Sequence, residues 1–403
     1  MPRRAGATVA GWAIISPAMN RAGRKVVVAM SGGVDSSVAA ALLVREGFEV
    51  IGVFMRLGTP EGVASGGDAE HDSASDGANA HRQGCCSVLD AADARKVAAA
   101  LGISFYVVNF QDEFSKVIDY FVSEYNRGRT PNPCVRCNDW LKFGRLAGYA
   151  RAVGADYLAS GHYAQVLADP ASGRKALYRG VDHQKDQSYV LFGLPQHELE
   201  RTLLPVGSMR KMDVRRLAQE MNLPVYNKPD SQEICFVPDQ DYAALVRRRT
   251  PAQVRPGPVE LRDGTVVGEH AGHQGFTIGQ RKGVGVALGR PLYVIDIKAE
   301  ENRVILGDRE ELLSGGLVAG DVTVTGAGLD RGGAAVSCLA KIRYNHDPQP
   351  AVARWDADGS LHVKFAEPQI AVTPGQAVVV YDGERVLGGG WIDRALGVNG
   401  DRD

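Results

Sequence analysis

The sequence predicts an α/β protein, with an N-terminal doubly wound parallel sheet followed by two small β-rich, barrel-like domains. Three observations carry this. Lys25–Met30 (KVVVAM) and Val50–Met55 (VIGVFM) are β-branched, apolar runs of the kind buried in parallel sheets. Ser36–Glu46 (SSVAAALLVRE) lies between them and reads as a helix stopped by Gly47. From about Pro238 onward, helical periodicity gives way to short alternating segments with Gly and Asp turns, the texture of small barrels.

The elements follow in order. Residues 1–24 read as an extension ahead of the fold, with Val9–Ile15 behind Arg3 and Arg4 faintly like a signal peptide. Met19 is an alternative start. The N-terminal α/β unit is expected over 25–236. Inside it, 58–83 is rich in Gly, Ala, Ser, Asp and His without apolar periodicity, and reads as a flexible insertion. His71 and His81 fall there without the spacing of metal ligands. Asp90–Leu101 is a predicted helix, Ser104–Asn109 a strand, and Phe114–Arg127 and Trp140–Val153 helices around a Pro-containing loop. Asp156–Ser160 is a strand, Tyr163–Gly180 a hairpin around Asp169–Gly173, and Met212–Met221 a helix. A central β-rich domain is expected over 237–308 and a C-terminal barrel over 309–396. Their strands are Leu292–Ile297, Val304–Gly307, Val336–Tyr344, Leu361–Phe365, Val378–Tyr381 and Val386–Trp391.

Composition narrows the function classes. The 403 residues are 44% apolar and 23% charged, which suits a globular chain able to bury its own cores. No run of eighteen apolar residues occurs, so no membrane span is expected. A net charge of −1 makes no general case for nucleic-acid binding, although a local basic patch can hide inside a neutral total. Six cysteines are too sparse for a secreted disulfide scaffold and suit a cytoplasmic protein using a few thiols in chemistry.

Three motifs carry chemistry. Ser31-Gly32-Gly33-Val34-Asp35-Ser36 follows a predicted strand and opens a helix. Backbone N–H groups there, with the positive helix end, make a cradle for phosphate oxygens. The loop lacks the GK[ST] ending of a Walker A motif. Thr130–Asn138 (TPNPCVRCN) places a C-x₂-C pair at the start of a helix, where the helix end and Arg136 would favour a thiolate. By itself the pair reads as a nucleophile, half a zinc site or part of an iron–sulfur site. Asp230–Phe236 (DSQEICF) holds Cys235, which alone reads as a structural cysteine. Of the remaining features, Cys85 and Cys86 read as structural and Cys338 as core. Arg247–Arg249 is either a solvated face or an RNA phosphate contact, His162 either structural or part of a site, and Lys185–Asp186 a possible surface ion pair.

SGGVDS resembles the pyrophosphate loop of the ATP-pyrophosphatase superfamily. With the other motifs, the chain resembles the bacterial tRNA-specific 2-thiouridylase family from about Lys25 to Arg394. The family-like stretches are SGGVDSS, GCCS (84–87), TPNPCVRCN, SGHYA (160–164), KDQSYVL (185–191), DSQEICFVP (230–238), FTIGQRKGVG (276–285) and KIRYN (341–345). The resemblance implies an adenine nucleotide alpha hydrolase-like sheet, with ATP held by Ala29, Met30, Ser31, Gly32, Gly33, Val34, Asp35, Ser36, Met55 and Gly161. It implies Cys137 as nucleophile and Cys235 as persulfide carrier, the two forming a redox disulfide. Asn132, Pro133 and Cys134 would line the target base. Lys185, Asp186, Gln187, Arg343 and Tyr344 would contact tRNA. Many relatives carry Asp where this chain has Cys134, a proposed acid/base helper.

The implied reaction is ATP-dependent adenylation of O2 of wobble uridine 34, then sulfur transfer to C2, releasing AMP and pyrophosphate. Mg²⁺ would accompany ATP, near Asp35, with no protein-only metal site. The implied partners are lysine, glutamate and glutamine tRNAs and a cysteine desulfurase or sulfur-relay protein. Three other readings stay open at this point. Cys134, Cys137 and Cys235 could hold an iron–sulfur cluster for thiolation. The chain could be an adenylate-forming ligase or amidotransferase on a small molecule. It could also be a non-catalytic RNA-binding or sulfur-carrier protein.

Overall fold

The computed structural model describes residues 23–58, 88–170, 172–230, 234–237, 241–325 and 328–398. His71, His81, Cys85, Cys86, Met19 and Ser231–Glu233 lie outside these.

The α/β unit alternates as the apolar runs require: β1 (Lys25–Ala29), α1 (Val34–Arg45), β2 (Glu49–Arg56), α2 (Val88–Leu101), β3 (Ser104–Asn109) and α3 (Gln111–Asn126). The next helical run is α4 (Pro133–Arg136), a π-helical stretch (Cys137–Leu146) and α5 (Ala147–Ala152). Then come β4 (Tyr157–Ala159), β5 (Ala164–Ala168), β6 (Lys175–Arg179), α6 (Gln196–Leu199), β7 (Thr202–Leu203) and α7 (Lys211–Glu220). Five strands pair in parallel in the order β3-β2-β1-β4-β7. Alternation along β1 sends Val27 into one core and Val26 and Val28 into the other, so helices cover both faces. The order reverses between β1 and β4, and at that reversal ligands bind outside the carboxyl ends of the strands.

The helix expected from Trp140 starts earlier, at Pro133. Asn132 caps it by accepting a 3.3 Å hydrogen bond from Val135 N, and Pro133 takes the first turn. The π-helical stretch depends on Gly144, where a Cβ would sit 2.8 Å from Asp139 O, five residues back.

The β-rich half also contains a helix that the sequence reading missed, α8 (Tyr242–Arg249), capped by Asp241 and stacked through Tyr242 on Tyr125 of α3 at 4.7 Å. Four strands follow: β8 (Gly257–Leu261), β9 (Val266–His270), β10 (Tyr293–Lys298) and β11 (Arg303–Gly307), in the order β10-β11-β8-β9. Six more are β12 (Leu313–Val324), β13 (Val336–Lys341), β14 (Gln349–Trp355), β15 (Leu361–Ile370), β16 (Ala377–Asp382) and β17 (Arg385–Leu396). They run β12-β15-β14-β13-β16-β17 and close through β12–β17 pairing, which removes open edges. The predicted hairpin exists as β5–β6, but it joins this barrel sheet at Arg385↔Tyr178 and not the parallel sheet. Arg385 also reaches Asp169 at 3.0 Å. The strand expected over Val336–Tyr344 ends at Lys341, leaving Arg343 and Tyr344 in the turn beyond it.

Candidate active site

The loop after β1 is built for an anion. Met30 is buried and its N–H donates to Val53 O at 2.8 Å, pinning the loop's start to β2. Gly32 has φ +74°, and a Cβ there would collide with Asp90 O. Gly33 is the N-cap of α1 and supplies no side-chain cap, so the first-turn N–H groups have no capping side chain. Ser36 Oγ accepts from Ser31 N at 3.2 Å, and Ser37 Oγ donates to Gly33 O at 2.7 Å. Gly161 leans on this turn: a Cβ on it would lie 2.5 Å from Ser36 N.

Charged side chains from distant segments surround the loop. Lys211 Nζ donates to both Asp35 oxygens at 2.8 Å, and Tyr163 OH donates to Asp35 Oδ1 at 2.7 Å. Asp35 is therefore engaged by protein groups. Lys211 also meets Asp230 at 2.8 Å, and Asp230 pairs with Arg215 at 2.7 Å and Lys185 at 3.0 Å. Burial opposes charge on Asp230, but hydrogen bonds from Lys211 and Lys185 prevail and hold its pKa at about 2. Lys228 spans Gly32 O at 3.0 Å, Asp90 at 2.7 Å and Asp93 at 2.8 Å. Sequence reasoning missed Lys211, Arg215, Lys228, Asp90, Asp93 and Tyr163 as site residues. None sits in a local pattern, and only folding brings them to the loop.

The three candidate thiols come from two segments far apart in the sequence. Cys134 is exposed, while Cys137 and Cys235 are half-buried. Cys137 and Cys235 both pack against the large apolar cluster that covers one face of the parallel sheet and continues into the barrel. Phe236 anchors the Cys235 segment, with its ring 5.1 Å from Phe121 and 5.6 Å from Phe114. Arg136 was expected to favour a thiolate, but it is turned into the barrel interface. It lies 3.9 Å over Trp391 and pairs with Asp321 at 3.2 Å. Asp139 is half-buried near it, with its buried Oδ1 lacking a hydrogen-bond partner. Burial, opposed by Arg136, pushes the Asp139 carboxyl up to about 7.

The barrel grips the TPNP loop directly. Gln376 Nε2 donates to Thr130 O and Pro131 O at 3.1 Å each, and its Oε1 accepts from Asn132 Nδ2 at 3.4 Å. Thr130 N donates to Pro374 O at 2.9 Å.

The structure separates the expected tRNA residues. Lys185 pairs with Asp230 and not with its neighbour Asp186. Asp186 is buried, accepting from Gly180 N, Ser188 N and Ser188 Oγ at 3.0 Å each, so its side chain is a latch without an outward face. Gln187 Oε1 accepts from Tyr163 N at 2.9 Å. Tyr344 is exposed, and its hydroxyl is pushed up by burial first, with Asp186 and Cys134 adding to the shift. His162 is fully buried. Burial, reinforced by Lys142, holds it neutral, and Nδ1 meets Ser160 Oγ at 2.7 Å. Cys338 is a half-buried strand thiol, 3.4 Å from Ala351 O. Among the described residues, no three His, Cys, Asp or Glu side chains are grouped to hold a metal ion, and no helix is long and apolar enough to cross a membrane.

A parallel sheet with a glycine–serine loop at its reversal point defines an α/β nucleotide-binding protein. Consistent with that class, residues 24–239 match the tRNA methyl transferase HUP domain family. Residues 246–308 match a tRNA methyl transferase PRC-barrel domain, and 316–392 an aminomethyltransferase beta-barrel domain. The chain is 48% identical to the tRNA-specific 2-thiouridylase MnmA of Carboxydothermus hydrogenoformans, over 93% of this chain and 98% of that protein. It is 49% identical to the tRNA-specific 2-thiouridylase MnmA of Rhodopirellula baltica, over 92% of this chain and 97% of that one. A 4-thiouridine synthetase–RNA complex with bound ATP is a distant likeness, with a TM-score of 0.30 and 14% identity over 57% of this chain and 52% of that one. The chain belongs to the tRNA-specific 2-thiouridylase family.

Proposed function

We propose that the protein is an ATP-dependent tRNA 2-thiouridylase acting on the wobble uridine at position 34. Two features of the one chain support this: an uncapped helix N-terminus at Gly33 behind the glycine–serine loop, and Cys137 and Cys235 packed against the apolar cluster that covers one face of the same sheet. Ala29–Ser36, Met55 and Gly161 bind ATP. Asn132, Pro133 and Cys134 line the base. Lys185, Gln187, Arg343 and Tyr344 face the tRNA, while Asp186 acts by holding the Gln187 segment in place.

A uracil carbonyl oxygen is a poor leaving group, so O2 must be activated. The O2 lone pair forms a bond to the α-phosphorus as the bond to pyrophosphate breaks, and that electron pair leaves with pyrophosphate. Backbone N–H groups at the start of α1 stabilise the charge on phosphorus. Mg²⁺ fits as an ion carried by the nucleotide. Asp35 is already bonded to Lys211 and Tyr163, so phosphate oxygens would hold the ion, which neutralises charge on pyrophosphate. The outer sulfur of a Cys235 persulfide then bonds to C2 and AMP leaves with the C2–O electron pair. The Cys137 thiolate attacks Cys235 Sγ, freeing the thiocarbonyl and leaving a Cys137–Cys235 disulfide. An external dithiol, or two thiols, supplies the two electrons that reset the pair and becomes a disulfide itself. The persulfide comes from a cysteine desulfurase or relay protein, and the expected acceptors are lysine, glutamate and glutamine tRNAs.

The test is mass spectrometry of the wobble uridine after incubation with ATP, Mg²⁺, a sulfur source and unmodified lysine tRNA. Wild type should gain one sulfur with or without oxygen, and Cys137→Ser and Cys235→Ser should gain none. Activity confined to anaerobic, iron-loaded protein would replace the persulfide route with a cluster route. ATP cleavage without sulfur gain would refute the substrate.

A further inference from the structure

The cations around the nucleotide loop are almost all neutralised within the protein. Lys211 is shared by Asp35 and Asp230, Lys228 by Asp90 and Asp93, and Arg215 and Lys185 both pair with Asp230. Lys142 differs. It is half-buried on the π-helical stretch, five residues after Cys137, and among the described residues it forms no ion pair. Its Nζ lies 3.4 Å from His162 Nε2. The histidine is neutral, and its Nδ1 is 2.7 Å from Ser160 Oγ. With Nδ1 donating to Ser160, Nε2 accepts one ammonium hydrogen, and two ammonium hydrogens remain for another acceptor.

The location is specific. His162 directly follows Gly161, whose backbone packs against Ser36 N, so the Lys142–His162 contact joins the helical stretch that carries Cys137 to the start of α1. A half-buried ammonium without a counter-charge is costly unless an anion completes it.

We propose that Lys142 is a catalytic residue of the adenylation step, binding the non-bridging oxygens of the α-phosphoryl group and later the AMP leaving group. The proposal rests on the adenylation chemistry above. As O2 bonds to phosphorus and pyrophosphate departs, charge builds on those oxygens, and an ammonium fixed beforehand stabilises it without reorganising. Lys142 supplies charge and hydrogen bonds and transfers no proton. His162 orients it, which gives the buried histidine a positioning task beside the nucleotide.

The experiment compares wild type with Lys142→Met and Lys142→Arg in single turnover. It follows tRNA-dependent pyrophosphate release, together with tRNA binding, melting temperature and persulfide loading of Cys235. Wild type must release pyrophosphate first; if it does not, the adenylation reading fails whatever Lys142 does. Given that, Lys142→Met should slow pyrophosphate release by roughly 10²–10³-fold. Lys142→Arg should recover much of the loss, with tRNA binding, melting and persulfide loading unchanged in both. Pyrophosphate release within about 3-fold of wild type in Lys142→Met would overturn the proposal. So would a loss of rate matched by a loss of tRNA binding or of fold.

Discussion

Gly161→Ala isolates the contact between β4's exit and the nucleotide loop. A Cβ at this position would sit 2.5 Å from Ser36 N, 2.7 Å from Asp35 C and 2.9 Å from Ser36 Cα. Ordinary contact needs about 3.5 Å, so the two backbones must separate by about 1 Å. All three obstructing atoms are backbone at the first turn of α1. That turn cannot swing freely, because Val38, Ala39 and Ala40 behind it are fully buried. Overpacking of this kind costs about 1–3 kcal/mol. Its functional effect is larger, since a shift of about 1 Å in a positioning group can cost roughly 10²-fold in rate. The assay is single-turnover pyrophosphate release at saturating tRNA, with filter binding of tRNA in parallel. The expected result is a drop of roughly 10²-fold in rate with tRNA affinity unchanged. Gly148→Ala is the control. It lies inside α5, where a Cβ meets nothing nearer than Arg151 Nη2 at 3.9 Å, and should stabilise by about 0.5–1 kcal/mol. Wild-type turnover in Gly161→Ala, or equal losses of rate and tRNA binding, would refute the reasoning.

Two further outcomes follow from the barrel interface. Asp139 ionises near pH 4 when unfolded but at about 7 when folded, so the native state holds the extra proton and wild-type stability falls as pH rises from about 4 to about 7. Asp139→Asn removes that penalty. It should raise stability by roughly 1–4 kcal/mol at pH 8 and hardly at all near pH 4, measured by denaturant melts; an equal gain at both would contradict the assignment. Gln376→Ala deletes three hydrogen bonds to the TPNP loop and leaves Thr130 and Pro131 carbonyls unsatisfied, a cost of about 1–3 kcal/mol. Hydrogen exchange should rise at Asn132–Val135 while the parallel sheet stays protected. Unchanged exchange there would show that the loop holds its shape without the barrel.

Local pattern was enough to predict the parallel sheet and the glycine–serine loop at the exit of its first strand. A buried strand is a run such as KVVVAM, and a phosphate loop must follow it within a few residues. The same locality limits what can be read. α8 escaped because eight residues ending in Arg247–Arg249 show too little periodicity beside a β-rich half. Asp35 was expected to serve ATP and its Mg²⁺, yet Lys211 engages it from 176 residues away. Arg136 looked like a thiol activator, yet its position over Trp391 is set by barrel closure. Asp186 sat in a recognisable KDQSY stretch, but only burial against Gly180, Ser188 and Arg179 shows it to be a latch. Sequence determined which groups the chain carries and where its elements begin, because propensity and periodicity are short-range. Tertiary structure decided which charges neutralise each other and which, like Lys142, keep theirs for a ligand. Ion pairing and desolvation act through space, without regard to separation along the chain.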